Sequence, residues 1–148
     1  MVSTVTELTP GIILAPVSAG ELLDKITILE IKTVRIDDAE KRQLARYELG
    51  LLELARAERL ALTPKIAELC RELSEVNAAL WAIEDRIRVK EREAAFDAEF
   101  IALARSIYHN NDRRADIKRS INMAVRSPLI EVKGYGPTAP AAVDLPAS

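Results

Sequence analysis

The feature that most limits how this chain can fold is an apolar seam in residues 63–92. Thr63 followed by Pro64 is a strong helix start, because a capping hydroxyl precedes a proline suited to the first turn. From there, apolar residues recur at alternating gaps of three and four: Ile66, Leu69, Leu73, Val76, Leu80, Ile83 and Ile87. A heptad seam of this length packs along another helix. Together with a helix expected over residues 39–60, it predicts a long, coiled-coil-like antiparallel hairpin.

The first helix is expected to begin at Ala19 and to lie at the centre of the fold. Ser18 with Glu21 three positions later has the pattern of a capping box. The helix that follows is apolar on nearly every side, which indicates contact with several neighbours. We therefore predict a mainly α protein, an antiparallel helical bundle.

Aspartates mark the starts of two other helices. Asp37 and Asp38 interrupt the first helix, and either is suited to cap the second one. Asp97 is suited to cap the last helix, which Ser127-Pro128 ends. The second helix carries one apolar stripe, which we expect to be its buried face: Leu44, Tyr47, Leu51, Leu52, Leu54 and Ala55.

The two ends of this helical region contain residues that favour β-structure. Gly11–Val17 is a short apolar run, and Leu129–Lys133 alternates apolar and charged residues. These segments could pair as two short strands that close the domain. Residues 11–136 are then one helical domain, flanked by a disordered arm at 1–10 and a disordered, Pro/Ala-rich tail at 137–148.

Charge and composition narrow the functional classes. The 148 residues include 23 acidic and 21 basic side chains in mixed order, so no overall field favours nucleic acid. The single cysteine and single histidine, Cys70 and His109, do not make a disulfide framework or a paired-histidine metal site. No apolar run approaches the ~20 residues that span a bilayer, and the first 17 residues lack Lys and Arg. We expect a cytoplasmic protein with no cofactor, no metal and no membrane span.

A polar run interrupts the apolar face of the last helix. At about 100° per residue, Asn110 and Arg114 share a face with Ile107, Ile117 and Ile121, and Arg113 lies at its margin. The helix either continues through residues 110–112 or restarts there. Burying an unpaired charge is very costly, so these groups need partners.

Candidate partners lie on two other helices. Glu30 lies at the edge of the first helix's apolar stripe, and Asn77 and Glu84 lie beside the heptad seam, where Trp81 would cover them. A structural network of arginines and carboxylates is one interpretation. The other is a pocket in which arginines hold a small anion. No catalytic residue is assigned, and the candidate ligand-binding set is Arg113, Arg114, Asn110, Glu84, Glu30 and Asn77.

Three segments of the chain resemble a small family of uncharacterised bacterial proteins that carry a domain-of-unknown-function label. They are APVSAGELLDKITILEIKTVRI, ALWAIEDRIR and ARSIYHNNDRRADIKRSIN followed by LIEVKGY, and the resemblance covers roughly residues 12–135. It implies a link to cell-surface sugar biosynthesis, with which such proteins are sometimes associated. It supplies no catalytic residues.

The expected function is that of a non-enzymatic helical binding or accessory protein, with a protein partner or a homo-oligomer. The alternative is a small enzyme or ligand binder that holds a phosphate, a nucleotide sugar or a carboxylate at the Arg/Glu cluster.

Overall fold

The computed structural model describes residues 10–136, which include four helices: α1 (Ala19–Arg35), α2 (Ala39–Arg59), α3 (Pro64–Arg92) and α4 (Ala98–Ala124). Each helix follows a residue whose side-chain oxygen accepts a hydrogen bond from the backbone N–H three positions later: Ser18, Asp38, Thr63 and Asp97. These caps confirm the four expected helix starts. α4 continues through residues 110–112 without a break. The predicted arm and tail lie outside the described residues, apart from Pro10.

The hydrophobic core lies where α1, α3 and α4 meet. α1 packs against the three other helices, as its all-round apolar character predicts, and α3 packs against α1 and α4. The heptad seam of α3 supplies much of this core, with contributions from α1 and α4: Ile66, Leu69, Leu73, Val76, Leu80, Leu23, Ile26, Ile117 and Ile121. Each such side chain contributes about 1.5–3 kcal/mol when it leaves water.

The prediction that α2 is the hairpin partner of the seam is wrong. Among the described residues, the α3 backbone packs closely against α4 and α1, and the α2 backbone packs closely against α1. α4, with 27 residues, matches the 29 residues of α3 better than α2 does with 21. The buried side of α2 is centred on Ala45, while Leu44, Tyr47 and Leu54 of the expected stripe are exposed.

The predicted pairing of the two chain ends as strands is also wrong, since residues 10–136 contain no strand. Residues 129–133 instead run antiparallel along α4 and are held by side-chain charges. Glu131 lies 3.2 Å from Nζ of Lys118, and Nζ of Lys133 lies 2.7 Å from Oδ1 of Asp112. Ion pairs to a helix replace the backbone hydrogen bonds that a second strand would have supplied.

Candidate functional site

A polar interface joins α1 to α4 at four-residue steps along both helices. The backbone N–H of Gly20 donates to Oδ1 of Asn122 at 2.7 Å, and one turn further Asp24 lies 3.8 Å from Nζ of Lys118. Gly20 permits this approach, because a Cβ at that position would lie 2.6 Å from the carbonyl oxygen of Lys118. The next step along α4 is Arg114, so the interface leads directly to one of the predicted site residues.

Lys118 is a buried cation surrounded by carboxylates. Its Nζ lies 2.8 Å from Glu21 and 3.2 Å from Glu131, in addition to its contact with Asp24. Burial opposes its charge, but hydrogen bonds to Glu21 and Glu131 and the charge of Asp24 outweigh that effect and raise the pKa of Lys118. Lys118 therefore stays protonated and links α4 to α1 and to the segment after α4.

Asn77 connects α3 to this interface, and its polar atoms are fully engaged. Its Nδ2 donates to Oδ1 of Asp24 and to Oγ1 of Thr27, both at 2.9 Å, and its Oδ1 accepts from Arg114 at 3.5 Å. The Thr27 hydroxyl in turn donates to the Asp24 carbonyl at 2.8 Å. The two amide hydrogens of Asn77 are thus committed to α1, so its carbonyl oxygen is the atom that faces Arg114.

Arg114 lines a cleft of about 330 Å³ between α1, α3 and α4, here called the Arg114 cleft. Its walls combine apolar and charged side chains: Ile28, Ile31, Asn77, Leu80, Trp81, Glu84, Asp85, Arg88 and Arg114. Glu84 forms an ion pair with Arg88 at 3.3 Å, on the same helix. Arg114 forms no ion pair within the described part of the chain, and its contact with Asn77 is long for a hydrogen bond. Most of its five N–H donors are therefore available to a ligand.

Three of the six predicted site residues meet at this cleft, namely Asn77, Glu84 and Arg114. Asn110 instead donates to the carbonyl of Ser106 on its own helix at 2.8 Å, and Arg113 is exposed and is not part of the cleft wall.

Glu30 lines a different cavity, of about 190 Å³, between α1, α2 and α3. Glu53, Arg56 and Cys70 share this cavity. Partial desolvation and the nearby charge of Glu53 raise the pKa of Glu30. Burial likewise raises the pKa of the Cys70 thiol. The structure therefore separates Glu30 from the arginines with which it was expected to pair.

Sequence reasoning missed the α1 side of the network. Gly20, Asp24 and Thr27 are not among the predicted site residues, because they lie opposite the main apolar stripe of α1, which is Leu22, Ile26, Leu29, Thr33 and Ile36. The sequence nevertheless contains a signal for this interface. The three α1 residues are small or polar and are spaced by four and three, so they share one side of the helix. On α4, Arg114, Lys118 and Asn122 are polar and are spaced by four, so they form a matching row.

Other kinds of site receive no support from the described residues. Within residues 10–136, no three His, Cys, Asp or Glu side chains are placed to share a metal ion. In the same range, no helix has both the length and the apolar character needed to cross a bilayer.

Comparison with known proteins identifies a family and no function. No curated protein and no solved structure matches the chain significantly. Residues 14–147 match the profile described as "Family of unknown function (DUF6165)", and the chain therefore belongs to this family.

Proposed function

We propose that this chain is a binding protein that holds a small ligand by an anionic group in the Arg114 cleft. One observation carries the proposal. The guanidinium of Arg114 lines an open cleft, while its single hydrogen bond within the described residues is the 3.5 Å contact with Asn77. A planar guanidinium with free donors is suited to a carboxylate or a phosphate.

The surrounding residues favour an anion over another kind of group. Asp24, the buried carboxylate of this network, accepts from Asn77 and faces Lys118. Glu84 is paired with Arg88. Asp24 and Glu84 are therefore engaged elsewhere, and Asp85, which also lines the cleft, forms no ion pair with Arg114 within residues 10–136. An incoming anion would supply the charge that Arg114 lacks.

The remaining wall of the cleft is suited to the body of the ligand. Ile28, Ile31 and Leu80 give an apolar surface, and the half-buried Trp81 adds an aromatic one. A volume of about 330 Å³ is at the small end of ligand sites, which favours a sugar phosphate or a dicarboxylate, or one end of a nucleotide sugar.

The biological setting is part of the same proposal. The resemblance to bacterial proteins associated with surface-sugar biosynthesis makes sugar phosphates and nucleotide sugars the first ligands to test. In that setting the protein would act in the cytoplasm as an accessory factor for glycan assembly. Binding of dicarboxylates with no binding of any sugar ligand would contradict this setting and leave the anion site intact.

The test is thermal unfolding of the full chain with nucleotide sugars, sugar phosphates, inorganic phosphate and dicarboxylates. A ligand at a hundred times its Kd stabilises the native state by roughly 2.7 kcal/mol. For a chain of this size, that corresponds to a rise in Tm of about 6–10 °C.

Arg114→Gln should abolish the rise, and Arg113→Gln should preserve it, because Arg113 is the adjacent arginine but is not part of the cleft wall. Two results would refute the proposal: no anion raises the Tm of the unmodified chain, or the rise survives in Arg114→Gln.

A further inference from the structure

The outer face of α2 is an apolar surface that the described residues do not cover. It consists of Leu44, Tyr47, Leu51 and Leu54, and three of these four side chains are exposed. The spacing of three and four places them along one side of the helix. The opposite side, which includes Ala45, Leu49 and Leu52, is the one that turns toward the core. α2 therefore has two apolar sides and uses one of them within the described fold.

Gly50 lies at the margin of this face, near the midpoint of α2. A Cβ at this position would meet no atom within 4 Å, so packing within the described chain does not require glycine there. A glycine inside a helix costs about 1 kcal/mol relative to alanine. A missing side chain beside an apolar face allows a second helix to approach closely on that side.

We infer that a second copy of this chain covers this face, with α2 packed antiparallel against α2. The face suits itself because it carries no charge between Leu44 and Ala57. Two-fold symmetric contacts of this kind are the commonest in homo-oligomers, and they need a patch that is complementary to itself.

Charge selects the register of the pairing. Glu40 and Glu58 point in the same direction as the face, at its two ends. An antiparallel pair centred on Leu49 would oppose Glu40 to Glu58 of the second copy, and like charges repel. Centring the pair between Gly50 and Leu51 instead places Gln43 opposite Glu58, where the amide can donate to the carboxylate.

The same register fits the shapes of the side chains. Tyr47 lies opposite Leu54 of the second copy, so each tyrosine packs against a leucine. Gly50 lies beside the symmetry axis, where the two backbones come closest. A contact between two helices of 21 residues is small for a stable interface, so the dimer should dissociate on dilution.

The first test is sedimentation velocity of the full chain over a wide range of concentrations. The unmodified chain should shift from monomer to dimer as concentration rises. Tyr47→Glu should remain monomeric, while Tyr108→Glu on α4 should still dimerise. These tyrosines are matched, since their side chains are 56% and 58% exposed.

The second test is disulfide trapping in a Cys70→Ser background. Gly50→Cys lies at the axis and should form a covalent dimer under mild oxidation. Gln43→Cys should not, because the two copies of residue 43 lie about 22 Å apart along antiparallel helices.

Three results would overturn the inference. A chain that stays monomeric at every concentration would assign the face to a different partner. A dimer that survives Tyr47→Glu would lie on another surface, and efficient trapping through Gln43→Cys would exclude the antiparallel register.

Discussion

Replacement of Gly20 by alanine should destabilise this protein, although alanine is the better helix former. The added Cβ would lie 2.6 Å from the carbonyl oxygen of Lys118 and 3.0 Å from Oδ1 of Asn122. The first of these atoms belongs to the backbone of α4 and cannot rotate away. Relief therefore requires α1 and α4 to move apart at the start of their polar interface.

Three effects set the size of the loss. Alanine gains at most about 1 kcal/mol in helix propensity. Overpacking costs about 1–3 kcal/mol. Separation of the helices also lengthens the 2.7 Å bond from Gly20 to the buried Oδ1 of Asn122, and an unsatisfied buried acceptor costs about 1–3 kcal/mol. The net expectation is a loss of about 3 kcal/mol in the free energy of unfolding.

Urea denaturation followed by circular dichroism measures this loss, and Gly50→Ala is the matched control. Gly50 is also helical, but a Cβ there meets nothing within 4 Å, so the control should gain about 1 kcal/mol. Both substitutions are best made in a Tyr47→Glu background, which removes any contribution of the outer face of α2. The two midpoints should move in opposite directions. An unchanged or raised midpoint for Gly20→Ala, at an unchanged m value, would refute the close approach of α1 and α4.

Two further predictions concern charge inside the fold. Lys118→Met leaves the buried carboxylate of Asp24 without a cation, so it should lower the free energy of unfolding, measured by urea denaturation, by about 3–5 kcal/mol. Lys25→Met is the control, because it removes an exposed ion pair and should lower the same quantity by less than about 1 kcal/mol. Equal losses in the two variants would contradict the burial of the Lys118 charge. Because partial desolvation and Glu53 raise the pKa of Glu30, the stability that this group contributes is present at acidic pH and is lost as the pH rises through the raised pKa. Glu30→Gln should therefore raise the urea midpoint at neutral pH and leave it nearly unchanged below the ordinary carboxyl pKa of about 4.3, and an equal effect at both pH values would contradict this assignment.

Helix boundaries were predictable from the sequence because their causes are local. Ser18, Asp38, Thr63 and Asp97 each bind a backbone N–H three residues away, so the interaction that starts each helix is contained in a four-residue window. Tertiary packing strengthens such a start but does not create it.

The packing of α2 was not predictable in the same way. Its sequence has two apolar sides, and the pattern predicts burial of the larger one, with Tyr47 and Leu54. The fold instead turns the smaller side, around Ala45, toward α1. The spacing of apolar residues along a helix indicates which residues share a face, but it does not indicate which of two apolar faces a neighbouring helix will cover.

The candidate site was predictable in part, for a related reason. Arg114 and Asn77 stand out because they are polar groups within apolar patterns, and the structure brings them together. Asp24 does not stand out in this way, because it lies opposite the main apolar stripe of its own helix. Its burial depends on α4, whose polar side chains face it across the interface.

This polar interface also explains why the cleft lies where it does. A shift of α4 by one turn along α1 would separate Gly20 from Asn122 and Lys118 from Asp24, and would strand buried polar atoms at each step. The interface therefore fixes the register of the two helices, a role that buried polar groups are known to serve. In this register Arg114 contacts Asn77, and both residues lie at the end of the interface that borders the cleft. Substitutions at Gly20 or Lys118 should consequently act on stability, whereas substitution of Arg114 should act on ligand binding. An Arg114 variant that lost as much stability as a Lys118 variant would identify the whole series as structural.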